Sequence, residues 1–299
     1  MGAASTNELL ALEARCQQGG WVAMRAITLL FHDVVPAGCG HLSGMQGADA
    51  EVYKLDCSEF RRHIRAVAQQ LPGRPVTAPE LLASPPARRP VLLTFDDGGV
   101  SALNYVADML DELGWKAHFL ITAGRIATPG FLDPGQIREL HRRGHVIGSH
   151  SYSHPARMSF CTTAELDEEW HRSVIMLGEI IGEQIRIASV PCGYYSPRVA
   201  SSAAKSGIQL LFNSEPVVRS RSVDGCLVLG RFTVQRGDSP KKSAAISAGE
   251  RQPLIQQYLF WNCKKVLKVL GGIVWLRVRI FLLALRARIS SRLESGSKI

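Results

Sequence analysis

Two patterns of apolar residues divide this chain. Ala26 to Phe31 and Val91 to Phe95 are almost unbroken apolar runs, the signature of strands buried on both faces. Phe60, Ile64, Val67 and Leu71 instead recur at helical spacing and predict a helix near 57–71. Residues 33–55 read as loop, and Pro72, Pro75, Pro79, Pro85, Pro86 and Pro90 break up the chain before Val91. From there strands and helices alternate. A strand at 91–95 leads to a helix at 100–113 stopped by Gly114, and then to a strand at 116–122. Asp133 caps a helix with Pro134 at its first position and Gly144 just past its end. A strand follows at 145–149, and Thr162-x-x-Glu165 forms a capping box opening a long helix that ends at Gly182. A strand at 185–190, a helix at 197–206 and strands at 208–213 and 227–234 complete the series. Repeated βα units predict an α/β fold with a parallel sheet, open or closed into a barrel.

Composition narrows the class. The 299 residues are 46% hydrophobic and 20% charged, enough for one large core or two small ones and too apolar for disorder. The net charge of +9 is unevenly spread: residues 241–299 hold 12 Lys and Arg against 2 Asp and Glu, while residues 1–240 are close to neutral. Residues 241–299 therefore read as a basic amphipathic helical tail, able either to dock on anionic headgroups or to pack on the body. Its apolar stretch Val266 to Leu285 is interrupted by Lys268, Arg277 and Arg279, which argues against a spanning helix. Charge confined to one end, with no reading motif, argues against nucleic acid. The seven cysteines are scattered and contain no C-x-x-C pair, so neither a disulfide framework nor a thiolate zinc knuckle is predicted. Residues 1–24 read as an extension without the basic and apolar regions of a secretory signal, and Met24 is an alternative start. The expected location is cytoplasmic, and the tail leaves membrane association open beside the packing reading, which its apolar content favours slightly.

Two strand ends carry chemistry. Thr94-Phe95-Asp96-Asp97-Gly98-Gly99 places adjacent carboxylates where an apolar strand meets a glycine turn, and alternation allows one to serve as metal ligand and the other as base. The same residues also suit a solvated turn. His150 and His154, at the end of another strand, can meet one divalent ion, and an aspartate would complete a set of three ligands with open positions. Alone, the pair also reads as two surface histidines. Packing does not account for both strand ends in one βα array, because active-site groups collect at that edge.

These segments, Thr94-Phe95-Asp96-Asp97-Gly98 and His150-Ser151-Tyr152-Ser153-His154, resemble the first two motifs of the NodB-homology polysaccharide deacetylases, carbohydrate esterase family four. The similarity extends over residues 25–240, the expected deacetylase domain. It implies a distorted (β/α) barrel, a divalent metal, zinc by default, held by Asp97, His150 and His154, and Asp96 as general base. Pro191, Cys192, Gly193 and Tyr194 resemble the third motif, in which the amide of Cys192 would help hold the oxyanion. The Cys192 side chain itself reads as a small packing residue. The arginine found there in many members is missing, so the base must be oriented from elsewhere. Arg231, in Leu229-Gly230-Arg231-Phe232-Thr233, is the candidate, although an arginine closing a surface salt bridge is the simpler reading.

No histidine follows His171, so the family's late histidine acid is also missing. Leu30-Phe31-His32-Asp33-Val34 resembles the segment of the circularly permuted exopolysaccharide deacetylases that supplies this acid, which assigns the role to His32. The alternative is a histidine held by Asp33. His41, His63, His118, His141, His145 and His171 lack such a setting, though His118 occupies a strand position and could point inward. The resemblance implies removal of N-acetyl groups from amino sugars of a polysaccharide or its lipid-linked precursor, in cell-surface or exopolysaccharide synthesis. The competing readings are an inactive sugar-binding barrel and a metal-dependent amidase acting on a non-sugar amide.

Overall fold

A computed structural model describes residues 24–84 and 88–265. The 1–23 extension and the 266–299 part of the basic tail lie outside the described residues. The main strands are β1 (Ile27–Phe31), β4 (Val91–Phe95), β5 (His118–Ile121), β6 (Val146–Ser149), β7 (Ile187–Ser189), β8 (Leu210–Phe212), β9 (Arg221–Val223), β10 (Cys226–Leu229) and β11 (Phe232–Thr233). They form one sheet in the order β11-β1-β4-β5-β6-β7-β8-β10-β9, parallel throughout except for β9. β2 (Val34–Val35) and β3 (Leu55–Asp56) pair separately.

The sheet curls because its flanks are tied to each other. β10 pairs with β8 on one flank, β11 pairs with β1 on the other, and only Gly230-Arg231 separates them in sequence. The fold is thus a distorted (β/α) barrel. The expected single strand over 227–234 is broken at this crossing, for a steric reason. A Cβ on Gly230 would come within 2.3 Å of the Glu215 carbonyl oxygen, so only glycine lets the two backbones approach this closely.

Alternation along the strands divides the core in two. Leu92, Leu120, Ile187, Leu210, Phe212, Leu227 and Leu229 line the inside of the curl, against Ala78, Leu81 and Leu82. Those three residues belong to the helix Ala78–Ala83, inside the stretch expected to be broken by prolines. Pro79 is tolerated because it sits in the first turn, and Thr77 and Glu80 cap each other. On the outside, Val91, Leu93, Phe95 and Phe119 pack against the outer helices, among them Cys57–Ala68, Pro134–Arg142 and Thr163–Ile181. The helix expected over 100–113 opens with a widened turn, Ala102–Val106, before Ala107–Asp111. Its start is anchored by Ser101, whose hydroxyl donates to Asp33 and accepts from the Val34 amide.

The tail begins as part of this body. The helix Pro240–Ala248 lies on Cys57–Ala68, with Ser243 meeting His63 Nδ1 at 2.7 Å, so the packed structure continues past residue 240. In the helix at 251–265, Gln257 accepts from the Thr233 amide and donates to the Thr233 carbonyl, covering the β11 edge as a neighbouring strand would. The outer side of that helix exposes Ile255, Tyr258, Leu259 and Phe260.

His118 points inward, as its strand position allows, but as a structural element. Its Nδ1 donates to the Leu93 carbonyl and its Nε2 accepts from the Ala78 amide, both at 2.7 Å, which requires the neutral ring. Burial pulls its pKa to about 4, and that of His145 likewise to about 4. Below pH 6.5 the unfolded chain takes up protons that the folded one refuses until near pH 4. We predict that stability falls as pH drops across this window, by on the order of 2–3 kcal/mol per histidine. Urea midpoints measured from pH 7 to pH 4 test this. His118→Gln should flatten the slope, and an unchanged slope would refute the assignment.

Candidate metal and catalytic site

Period-two alternation decides which side chains meet. Ala26, Leu92, Val146, Ile187 and Leu229 face the inside of the curl. Counting onward in twos, the positions just beyond or at the strand ends are His32 after β1, Asp96 after β4, His150 after β6, Ser189 in β7 and Arg231 after β10. All lie at the C-terminal edge of parallel strands, where βα folds place their reactive groups.

Adjacent residues normally diverge, yet Asp96 and Asp97 share the site. Asp97 at φ 79° and Gly98 at φ 82° fold the chain back on itself, a left-handed turn that is costly for an aspartate and typical of functional sites. A second left-handed pair, Ser151 and His154, shapes the loop that brings both imidazoles inward. Glu169 fastens that loop by accepting from the amides of Tyr152 and Ser153 at 3.0 and 2.8 Å and from the Ser153 hydroxyl. The two imidazoles therefore meet through a tight loop.

Asp97 Oδ1 lies 3.4 Å from His154 Nε2 and 3.6 Å from His150 Nε2. The three donor atoms all fall within 4.8 Å of one another. Zinc bonds of about 2.0–2.1 Å at tetrahedral angles would place donors about 3.3 Å apart, so the spacing fits a divalent ion. Proton positions fit as well. Ser189 Oγ donates to Asp96 Oδ1 at 3.0 Å and so accepts from His150 Nδ1 at 2.5 Å. His150 thus carries its proton on Nδ1, leaving the Nε2 lone pair facing Asp97. Burial pulls the His150 pKa to about 4, which keeps it neutral. Burial would push the Asp97 carboxyl up, but the surrounding imidazoles of His154, His32 and His150 hold it below its usual range.

Asp96 is held differently. Arg231 is fully buried, and its Nη1 and Nη2 donate to the two carboxylate oxygens at 2.6 and 2.7 Å. Its Nε donates to the Asn213 carbonyl at 2.9 Å and its Nη1 also reaches Thr94 Oγ1 at 3.3 Å. The reading of Arg231 as a surface salt bridge is therefore corrected: the crossing at Gly230-Arg231 turns the guanidinium into the interior. Burial raises the Asp96 carboxyl, but the charge and hydrogen bonds of Arg231, with His150, outweigh it and hold it far below the usual carboxylate range.

His32 is half-buried, with its ring centroid 4.5 Å from that of Tyr53, and it stands near enough to Asp96 and Asp97 to lower both carboxyls. Asp33 does not hold it. That carboxylate accepts instead from Ser43 and, at 2.7 Å, from Ser101, and His32 Nδ1 is buried without a hydrogen-bond partner among the described residues. Pro191–Gly193 forms a tight turn after β7 in which Cys192 adopts φ 54° and Gly193 φ 68°. The Cys192 side chain is exposed, which corrects its reading as a packing residue. Ser189 was not singled out in the sequence. Its position two residues before the Pro191 turn, on the inward register of β7, was the available signal.

Comparison with known proteins agrees with this geometry. Residues 83–211 match the polysaccharide deacetylase family model. The Bacillus subtilis protein YxkH, whose name assigns it provisionally to polysaccharide deacetylases, is 29% identical over 154 residues, 52% of this chain and 54% of its own length. The chain thus spans about half the length of the curated relatives it matches. A chitin deacetylase of Colletotrichum lindemuthianum is 33% identical over 82 residues, covering 27% of this chain and 32% of its own. Among solved structures, the Streptococcus pyogenes deacetylase PplD superposes with a TM-score of 0.61 at 19% identity, over 74% of this chain and 96% of its own. IcaB from Ammonifex degensii gives a TM-score of 0.60 at 22% identity, over 75% and 97%. The motif residues, the curled sheet they stand on and the matched segment together make this chain similar to the polysaccharide deacetylases, with the family match falling on residues 83–211.

Proposed function

We propose that this protein is a metal-dependent hydrolase that removes N-acetyl groups from amino sugars of a polysaccharide or its lipid-linked precursor. One observation carries the reading: Asp97, His150 and His154 converge as a ligand set while Asp96, locked by Arg231, stands beside them with a separate role. Two imidazoles and a carboxylate suit zinc. A divalent ion held there would supply Lewis-acid polarisation of the acetamide carbonyl and acidify water.

The chain's own residues supply the rest. In attack, an oxygen–carbon bond forms and the water's proton passes to Asp96. As the carbon–nitrogen bond breaks, the imidazolium of His32 gives its proton to the leaving amine. A carboxylate held as low as Asp96 is a weak base, so its main contribution is a fixed acceptor direction that orients the nucleophile. The Cys192 amide, at the left-handed turn after Pro191, is the proposed donor to the developing oxyanion, and Gly193 and Tyr194 shape the adjoining wall.

Acetate release from N-acetylated chito-oligosaccharides and isolated exopolysaccharide by zinc-reconstituted protein tests the reading. The expected result is turnover that Asp96→Asn lowers by about 10²-fold or more and His32→Ala by a comparable factor. Stoichiometric zinc binding with no acetate from either substrate would overturn the hydrolase assignment in favour of an inactive sugar-binding barrel. Turnover indifferent to His32→Ala would remove His32 from the mechanism.

A further inference from the structure

Two side chains that the chemistry above does not use, Phe160 and Arg157, stand against Tyr194 just past the Pro191–Gly193 turn. Phe160 is 72% exposed, more than any other large apolar residue described. It closes a single helical turn, Met158–Phe160, that begins four residues after His154 and is pinned inward by the fully buried Met158. Its ring meets that of Tyr194 edge-on, with centroids 6.4 Å apart and planes at 70°. The Arg157 guanidinium lies over both rings, 5.1 Å from the Phe160 centroid and 5.9 Å from that of Tyr194. The cluster therefore bridges two loops: the one that continues from His154 and the one that continues from the Pro191–Gly193 turn.

A lone exposed phenylalanine is unremarkable on a protein surface. Two rings and a cation stacked together on the loops that continue from His154 and from Gly193 form a surface of defined chemistry. A pyranose ring offers an apolar C–H face and a polar edge of hydroxyl and acetamide groups. An exposed aromatic face buries the former, and an adjacent guanidinium donates to the latter. Arg157 has no carboxylate partner among the described residues, so its donors remain available.

We propose that Phe160, Arg157 and Tyr194 form a shelf that holds the sugar unit adjoining the one being deacetylated, which makes the enzyme prefer oligomers over short substrates. The proposal rests on the hydrolase reading and names the substrate feature that the site selects. Phe160 is exposed, so truncating it spares the core.

The test compares chain-length dependence in zinc-loaded wild type, Phe160→Ala, Phe160→Trp and Arg157→Ala. The ratio of kcat/KM for N-acetylchitopentaose to that for N,N′-diacetylchitobiose should fall about tenfold in Phe160→Ala, be restored in Phe160→Trp, and fall about threefold in Arg157→Ala. Calorimetric binding of N-acetylchitopentaose, measured alongside, separates the two readings. If wild type binds the pentaose about tenfold more tightly than Phe160→Ala yet releases no acetate, the shelf stands and the hydrolase reading falls. If acetate is released with the same chain-length ratio in wild type and Phe160→Ala, the shelf is overturned and the hydrolase reading stands.

Discussion

Arg231→Met is expected to destabilise the protein by about 3–5 kcal/mol, because it leaves the Asp96 carboxylate buried without its counter-charge. Methionine fills much of the same volume, so the cost arises chiefly from the stranded charge. The Asn213 carbonyl and the Thr94 hydroxyl lose a donor as well. Adding Asp96→Asn should recover most of the stability, since a neutral amide tolerates burial far better than an anion. Activity should behave differently. The single variant is expected to lose about 10²-fold in kcat, because Asp96 no longer has a fixed direction, and the double variant should regain nothing. Urea unfolding of wild type, both singles and the double, read at constant m-value, gives the coupling directly. A single Arg231→Met within about 1 kcal/mol of wild type would mean that the pair is not the desolvated contact described above.

That pair also marks where the sequence stops being readable. Local signals worked where the chemistry is local. Asp133 caps Pro134–Arg142 and Thr162 caps Thr163–Ile181, each with the reciprocal bond from the third helical residue, and Gly182 ends the latter at φ 75°. Asp97 and His150 were legible as candidates because each stands just past an apolar run, and His154 because it follows His150 at a spacing of four, so placing the strands placed the candidate ligand set. Arg231 was different. Its inward direction depends on the sheet curling until β10 and β11 lie on opposite flanks, and the apolar residues on either side of Gly230-Arg231 let 227–234 read as one strand. Ser189 acts only because β7 lies beside β6 and across the mouth of the curl from Asp96, an adjacency created by topology.

Two omissions were local and recoverable. Asp224-Gly225, both at positive φ, turns β9 into β10, and an Asp-Gly pair between apolar residues is a strong hairpin signal. The proline-rich stretch before Val91 obscured Ala78–Ala83, although Thr77-x-x-Glu80 is a capping box with proline at a tolerated position.

His150→Ala is expected to abolish stoichiometric zinc binding and acetate release together, since a carboxylate and one imidazole leave too few ligands for a closed site. The more discriminating variant is Ser189→Ala. It touches no proposed ligand atom, yet it removes the acceptor that fixes the proton on His150 Nδ1 and the donor to Asp96. Without that relay the imidazole is free to place its proton on Nε2, the nitrogen that faces Asp97, and each such molecule has lost a ligand. Outer partners of this type are worth about 10–100-fold in metal affinity, so the zinc dissociation constant should rise by that factor. Competition titration against a chromophoric chelator measures it. Ser202→Ala removes a hydroxyl bonded to Asp167 on the outer helices and should leave the constant unchanged, which controls for the loss of a buried serine. Wild-type affinity in Ser189→Ala would show that the tautomer is set by something other than the Ser189 relay. Full zinc occupancy in His150→Ala would mean that the ion binds elsewhere.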